Sequence, residues 1–254
     1  MTTTLPTDWP TGYDRVILPE TDSTMAEAQR RVPELSGPTW ILAFNQTAAR
    51  GRRGREWVNP KGNFAATLVM RPALGAGLAA LRSFTASLAL FDAFVATTGR
   101  TEPFALKWPN DVLLNGGKVA GILLESAGQG GDVSFLSIGI GVNLVAAPAA
   151  AQLETRALRP VSLAAETGLS VDPLDFLNAL APAYARHELQ LSTYGFAPVR
   201  EAWLSRAARL GEVVTARTAA EEISGTFETI DDHGNIVLRN ATEQRTIPAA
   251  DIFF

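Results

Sequence analysis

The chain has 254 residues, 46% hydrophobic and 19% charged, with 22 basic against 26 acidic residues and a net charge of -4. That composition supplies core for one large and one small domain, and it excludes both disorder and a general nucleic-acid coat, which needs a basic face. Cysteine is absent and His187 and His233 are the only histidines, neither in the neighbourhood of a triad, so disulfide, thiolate and zinc–thiolate chemistry are excluded.

Met1–Pro10 is rich in Thr and Pro and lacks a charged segment followed by an apolar one, so no signal peptide is expected. No apolar run is expected to approach the ~18–20 residues that span a bilayer, and the expected location is cytoplasmic. After a loose leader (1–12), Tyr13–Leu18 reads as a strand. Thr24-Met25-Ala26-Glu27 has the form of a capping box opening a helix that Pro33 ends. Trp40–Asn45 is an apolar strand leading into an arginine- and glycine-rich loop. A strand over Asn63–Arg71 follows, then a single Ala- and Leu-rich helix over Leu78–Thr98.

Strands near Phe104–Lys107 and Val112–Leu114 precede an Asn115-Gly116-Gly117 turn and a return strand Lys118–Ser126. A second hairpin turns at Gly128–Asp132 and returns along Val133–Asn143, so the sheet is antiparallel or mixed. An Ala/Pro-rich connection, Ala146–Ala151, leads to helices near Ser162–Thr167, Pro173–Leu191 and Ala197–Ala207. From Gly211 the pattern changes to short strands, Glu212–Arg217, Ile223–Ile230, Asn235–Arg239 and Arg245–Ile247. These predict a small β-barrel over 209–254, attached to a catalytic domain over 13–208.

Four segments carry chemistry-grade residues. Asp22-Ser23-Thr24-Met25 is either an ordinary N-cap or a set of donors and hydroxyls for a polar ligand edge. Arg50-Gly51-Arg52-Arg53-Gly54-Arg55 with Gln46, Trp57 and Lys61 is either a solvated basic patch or a loop that closes over an anion, because guanidinium forks bind phosphate and carboxylate bidentately. Lys107-Trp108-Pro109-Asn110-Asp111 is either a plain turn or a rim that presents a carboxylate to a magnesium–nucleotide complex. Lys118 either snorkels or faces a ligand, and Gly121 in mid-strand signals a close approach. In Gly139-Ile140-Gly141-Val142-Asn143, the two glycines leave room for a flat ring and Asn143 can read a base edge.

In this order and spacing the segments resemble the biotin protein ligases over roughly residues 13–254. The resemblance implies an α+β fold, a mixed sheet flanked by helices related to class II aminoacyl-tRNA synthetases and lipoate ligases, with a C-terminal SH3-like barrel. It implies biotin and ATP as substrates, magnesium, and a biotin carboxyl carrier domain of biotin-dependent carboxylases as acceptor. By resemblance Arg50, Arg52 and Lys118 are catalytic. Ser23, Thr24, Met25, Gln46, Arg50, Gly51, Arg52, Lys118 and Gly121 surround biotin. Arg52, Trp57, Lys107, Asn110, Asp111 and Asn143 serve the nucleotide, with Asp111 toward the metal. Two positions depart from the family pattern: Ala49 stands where glycine is usual, restricting positive φ, and Met25 where asparagine is common.

The catalytic pattern begins by residue 13, leaving no space for an N-terminal DNA-binding domain, so neither DNA nor membrane is an expected partner. A sheet edge could pair with a second copy, giving a homodimer, or with the acceptor domain. The rivals are a lipoate or octanoyl ligase on the same scaffold, a nucleic-acid-binding module using the arginine loop, and a silent biotin sensor.

Overall fold

The computed structural model describes residues 9–55, 57–72, 75–129, 132–148 and 158–254. The start of the expected leader, the centre of the second hairpin turn and the end of the Ala/Pro-rich connection lie outside the described residues. Strand β1 (Asp14–Leu18) runs parallel to β2 (Thr39–Ala43), with helix α1 (Thr24–Arg31) between them.

The capping box is not formed. Ser23 is the N-cap residue, without a side-chain cap bond, and Glu27 pairs with Arg30 and Arg31. The Thr24 N–H donates instead to Gln46 Oε1 at 2.8 Å, and Asp22 Oδ1 accepts from the Ser23 N–H at 2.8 Å. A partner 22 residues away displaces the local pattern, and that partner belongs to the site.

Strand β3 (Phe64–Met70) follows the arginine loop. The single helix expected from Leu78 is two, α2 (Ala76–Ala80) and α3 (Arg82–Thr98), separated at Leu81. The helical stretch Gly77–Thr98 does contain an 18-residue window with the mean hydropathy (1.5) to cross a membrane, contrary to the sequence expectation; 72% of that window is buried inside the fold. Arg82, which opens α3, is itself buried and paired with Glu188 at 2.5 Å.

Strands β4 (Phe104–Lys107), β5 (Asp111–Leu114), β6 (Gly117–Gln129) and β7 (Asp132–Val142) complete a seven-stranded mixed sheet of order β1-β2-β3-β7-β6-β5-β4. The turn between β5 and β6 has Asn115 at φ 49° and Gly116 at φ 77°, the left-handed pair that an Asn-Gly hairpin supplies. Helices α4 (Leu163–Thr167), α5 (Pro173–Tyr194) and α6 (Phe196–Leu204) follow.

Alternation along the strands divides the sheet into two faces. Trp40, Leu42 and Phe64 join the large core with α3 and α5, where Trp40 meets Tyr184 edge-on at 5.8 Å and Phe94 stacks on Phe104 at 4.9 Å. Ile41 and Val69 turn the other way, onto Ala28 of α1. The α1 face carries the site.

The C-terminal unit is an antiparallel sheet of β8 (Val213–Arg217), β9 (Glu222–Ile230), β10 (Ile236–Arg239), β11 (Gln244–Ile247) and β12 (Asp251–Phe253). Its order is β11-β10-β9-β8-β12, so among the described residues the expected barrel is an open, SH3-like five-stranded sheet with β11 and β12 at its edges. Strand β12 has no counterpart in the sequence reading. Trp108 docks this unit on the main body, its indole N–H donating to the Gly234 carbonyl at 2.9 Å.

Candidate active site

Strand register assembles the floor of the site. In an antiparallel ladder directly opposed residues share a face. One such row runs Lys107–Asp111–Gly121–Gly141–Ala65 across β4, β5, β6, β7 and β3, and the next includes Leu123–Gly139–Thr67. The trough therefore has small residues in its middle and a lysine–aspartate pair at one end.

The glycines fit side chains of the protein itself. None of Gly121, Gly139 and Gly141 has positive φ, so space is their purpose. A Cβ on Gly141 would stand 2.5 Å from the Trp57 indole, one on Gly121 would stand 3.2 Å from it, and one on Gly139 would stand 2.8 Å from Met25 Sδ. The flat ring beside β7 is thus Trp57, held in place by its backbone N–H on the Ala49 carbonyl at 3.1 Å. Ala49 is buried and is not among the residues with positive φ, so its methyl group is accommodated without strain.

Above this trough lies a cleft of about 550 Å³. All of the sequence-predicted residues line it: Ser23, Thr24, Met25, Gln46, Arg50, Gly51, Arg52, Trp57, Lys107, Asn110, Asp111, Lys118, Gly121 and Asn143. At one end Thr67 Oγ1 donates to Thr24 Oγ1 at 2.8 Å, and Thr24 N and Oγ1 both donate to Gln46 Oε1. The amide oxygen of Gln46 is therefore spoken for, and its Nε2 donor is what it offers a ligand.

At the other end Asp111 sits between two ammonium groups, 2.6 Å from Lys118 Nζ and 3.9 Å from Lys107 Nζ, with 14% of its side chain exposed. Burial pushes the Asp111 carboxyl up, but Lys118, Lys107 and Arg52 pull it below the ordinary aspartate value. Burial pushes the Lys107 ammonium down, and Asp111 offsets part of that. Lys118 Nζ also lies 5.6 Å from the Trp57 ring centroid.

Asn110 and Asn143 are braces. Asn110 donates to the Ile122 carbonyl of β6 and accepts from Arg52 Nη1 at 3.2 Å. Asn143 is buried, donates to the Val161 carbonyl at 3.1 Å and accepts from Asn63 at 3.5 Å, so the base-edge reading expected of it meets an amide engaged at both ends.

The arginine loop is a single 3-10 turn, Arg52–Gly54, with Arg53 at φ 57° and Gly54 at φ 73°. Arg217 and Asp251 of the C-terminal unit also line the cleft, and the sequence reading missed both. Arg217 ends a strand the sequence does predict, while the only signal for Asp251 was the alternation in Asp251-Ile252-Phe253, three residues long. His187, by contrast, is remote from the cleft, its Nε2 2.7 Å from Asp92 on α3. Among the described residues six basic side chains line the cleft (Arg50, Arg52, Arg55, Lys107, Lys118 and Arg217) against two acidic ones, Asp111 and Asp251. In a chain of net charge -4, that surplus of four marks a site for a polyanion.

Fold and site together define a class. Residues 16–143 match the biotin/lipoate A/B protein ligase family, and residues 210–254 match the biotin protein ligase C-terminal domain. The chain is 58% identical over 238 residues to a biotin–[acetyl-CoA-carboxylase] ligase of Paracoccus denitrificans, covering 94% of this chain and 99% of that one. It is 30% identical over 239 residues to the bifunctional ligase/repressor BirA of Bacillus subtilis, covering 93% and 71%. The fold is shared with a biotin protein ligase from Aquifex aeolicus solved with biotin and ATP, at a TM-score of 0.80 and 24% identity over 94% and 97% of the two chains. The chain belongs to the biotin protein ligase family.

Proposed function

We infer that the chain is an ATP-dependent ligase that activates biotin as biotinyl-5'-AMP and transfers it to a lysine of a carboxyl carrier domain. The surplus of four positive charges in one cleft carries this reading, because both reactants that must meet there are anionic. In the first step a biotin carboxylate oxygen attacks the α-phosphorus of ATP, and the bond to pyrophosphate breaks. In the second the acceptor amine attacks the anhydride carbonyl, AMP leaves, and the nitrogen loses a proton. Neither step needs an enzyme nucleophile. What the protein supplies is alignment and fixed positive charge.

Ser23, Thr24 and the Nε2 donor of Gln46 hold the ureido ring, with Met25 and Gly121 beside it. Arg50, Gly51 and Lys118 meet the carboxylate, and Arg52 and Lys118 meet the phosphate. Lys107 serves the triphosphate, Trp57 lies against the nucleotide, and Asn110 and Asn143 brace that side. Magnesium entering with the nucleotide would be held on the protein side by the Asp111 carboxylate, since among the described residues no cluster of three metal-binding side chains exists to hold it alone. Bound there, it would neutralise phosphate charge.

The acceptors are the carrier domains of biotin-dependent carboxylases, which places the reaction in the cytoplasm. Strand β1, at the edge of the sheet, is the surface to which an acceptor or a second copy would add. DNA and membranes have no part in this reading. The test is biotin-dependent ATP–pyrophosphate exchange followed by weighing a carrier domain after incubation with ATP, magnesium and biotin. One added biotinyl group is expected; exchange that responds to lipoate or octanoate and not to biotin would overturn the reading.

A further inference from the structure

The conformation of the arginine loop has a cause outside the loop. Arg52, Arg53 and Arg55 place three like charges within four residues, in a turn where Arg53 is left-handed at φ 57°. Such a turn repels itself; among the described residues its backbone is closed by the Gly51 N–H on the Arg55 carbonyl at 2.7 Å, the Arg55 N–H on the Arg52 carbonyl at 3.3 Å and, outside these, the Trp57 N–H on the Ala49 carbonyl at 3.1 Å, which leave the like charges uncompensated. What gathers those charges is one carboxylate from the opposite end of the sequence. Asp251 Oδ2 lies 2.7 Å from Arg53, 3.6 Å from Arg55 and 3.7 Å from Arg217, and Oδ1 lies 3.9 Å from Arg52. Asp251 is 17% exposed and fixed on β12, which pairs with β8 opposite Arg217.

The division of labour among the arginines follows from these distances. Arg53, outside the cleft, and Arg55, on its rim, both reach Asp251. Arg52 is 31% exposed and its guanidinium reaches inward to Asn110, beside the Asp111 cluster. Docking of the C-terminal unit does not depend on this clasp, since Trp108 bonds the Gly234 carbonyl and Phe84 packs against Gly234.

We propose that Asp251 is a positioning residue for the ligase reaction: from the C-terminal sheet it holds the arginine loop by Arg53 and Arg55, so that Arg52 stays turned onto the phosphate of the bound adenylate. The C-terminal sheet is thereby part of the device that retains the intermediate until the acceptor arrives. This rests on the adenylate-forming reading above.

The test measures release of labelled biotinyl-AMP from the intact protein, in Asp251→Asn, Asp251→Glu, Arg53→Ala and the double variant Asp251→Asn/Arg53→Ala. Asp251→Asn is expected to release the adenylate about tenfold faster than wild type, the size expected for losing several partly exposed ion pairs at once. Asp251→Glu restores most of the retention. Arg53→Ala reproduces part of the loss, and the double variant loses less than the product of the two single effects, because both act on one contact. Unchanged release in Asp251→Asn, a glutamate that fails to rescue, or effects that simply multiply would each overturn the proposal. A wild-type protein that forms no biotinyl-AMP sinks the ligase reading instead, so the two failures are told apart.

Discussion

The floor of the cleft and its lid are both built from ion pairs, but of opposite kinds. On the floor, Asp111, Lys107 and Lys118 sit on three neighbouring strands, and their side chains are 14%, 10% and 31% exposed. In the lid, Arg53 and Arg55 are 48% and 46% exposed and are held by Asp251, which lies 198 residues beyond Arg53 in sequence. Charge on the floor cannot rearrange without leaving an ion unpaired in a dry place, whereas charge in the lid is exchangeable with solvent and with phosphate.

The sharpest break of that contrast is Asp111→Ala. It strands two ammonium groups, and the expected cost is about 3–5 kcal/mol of unfolding free energy by denaturant titration. The pH dependence has a definite sign. The Asp111 carboxyl is held below its ordinary value of 3.8, so its contribution is fully present above that pH and is lost as pH falls through the folded value. The gap between wild type and Asp111→Ala should therefore narrow in acid; a gap that widens there contradicts the assignment.

Lys118→Ala comes next. Losing one charge-assisted contact should slow pyrophosphate exchange by about 1.5–3 kcal/mol, ten- to over a hundredfold. An unaffected rate would remove Lys118 from the chemistry. Gly141→Ala tests the trough between floor and lid. Its methyl group would stand 2.5 Å from the Trp57 indole, so overpacking of about 1–3 kcal/mol is expected, with a shift in tryptophan emission and a raised KM for ATP. Wild-type emission and KM would mean that Trp57 is not held by the glycines. The smallest effect belongs to the lid: Arg53→Ala should change global stability by less than about 1 kcal/mol in thermal melts. A loss as large as that of Asp111→Ala would erase the distinction.

The floor was more legible in the sequence than the lid. Paired strands announce themselves by alternation and by Asn115-Gly116, and register then brings Lys107, Asp111 and Gly121 into one row. The glycines were read as gaps for a ligand ring; the space is taken by Trp57 and Met25, because a sequence shows that room exists and not what occupies it. The capping box at Thr24 failed for a related reason, since the competing acceptor, Gln46, arrives from another strand connection. Asp251 was invisible because a three-residue strand beyond Pro248 has too little pattern to register, and the loop arginines it pairs with lie in the first quarter of the chain.

In the reading proposed above, loop arginines and a floor lysine enclose one mixed anhydride. A crystal structure of the protein soaked with biotin, ATP and magnesium tests it most directly. Continuous density for biotinyl-5'-AMP is expected in the cleft against Trp57, with Arg52 and Lys118 on its phosphate. An empty trough, with Trp57 and the loop unmoved and the nucleotide bound elsewhere, would contradict it.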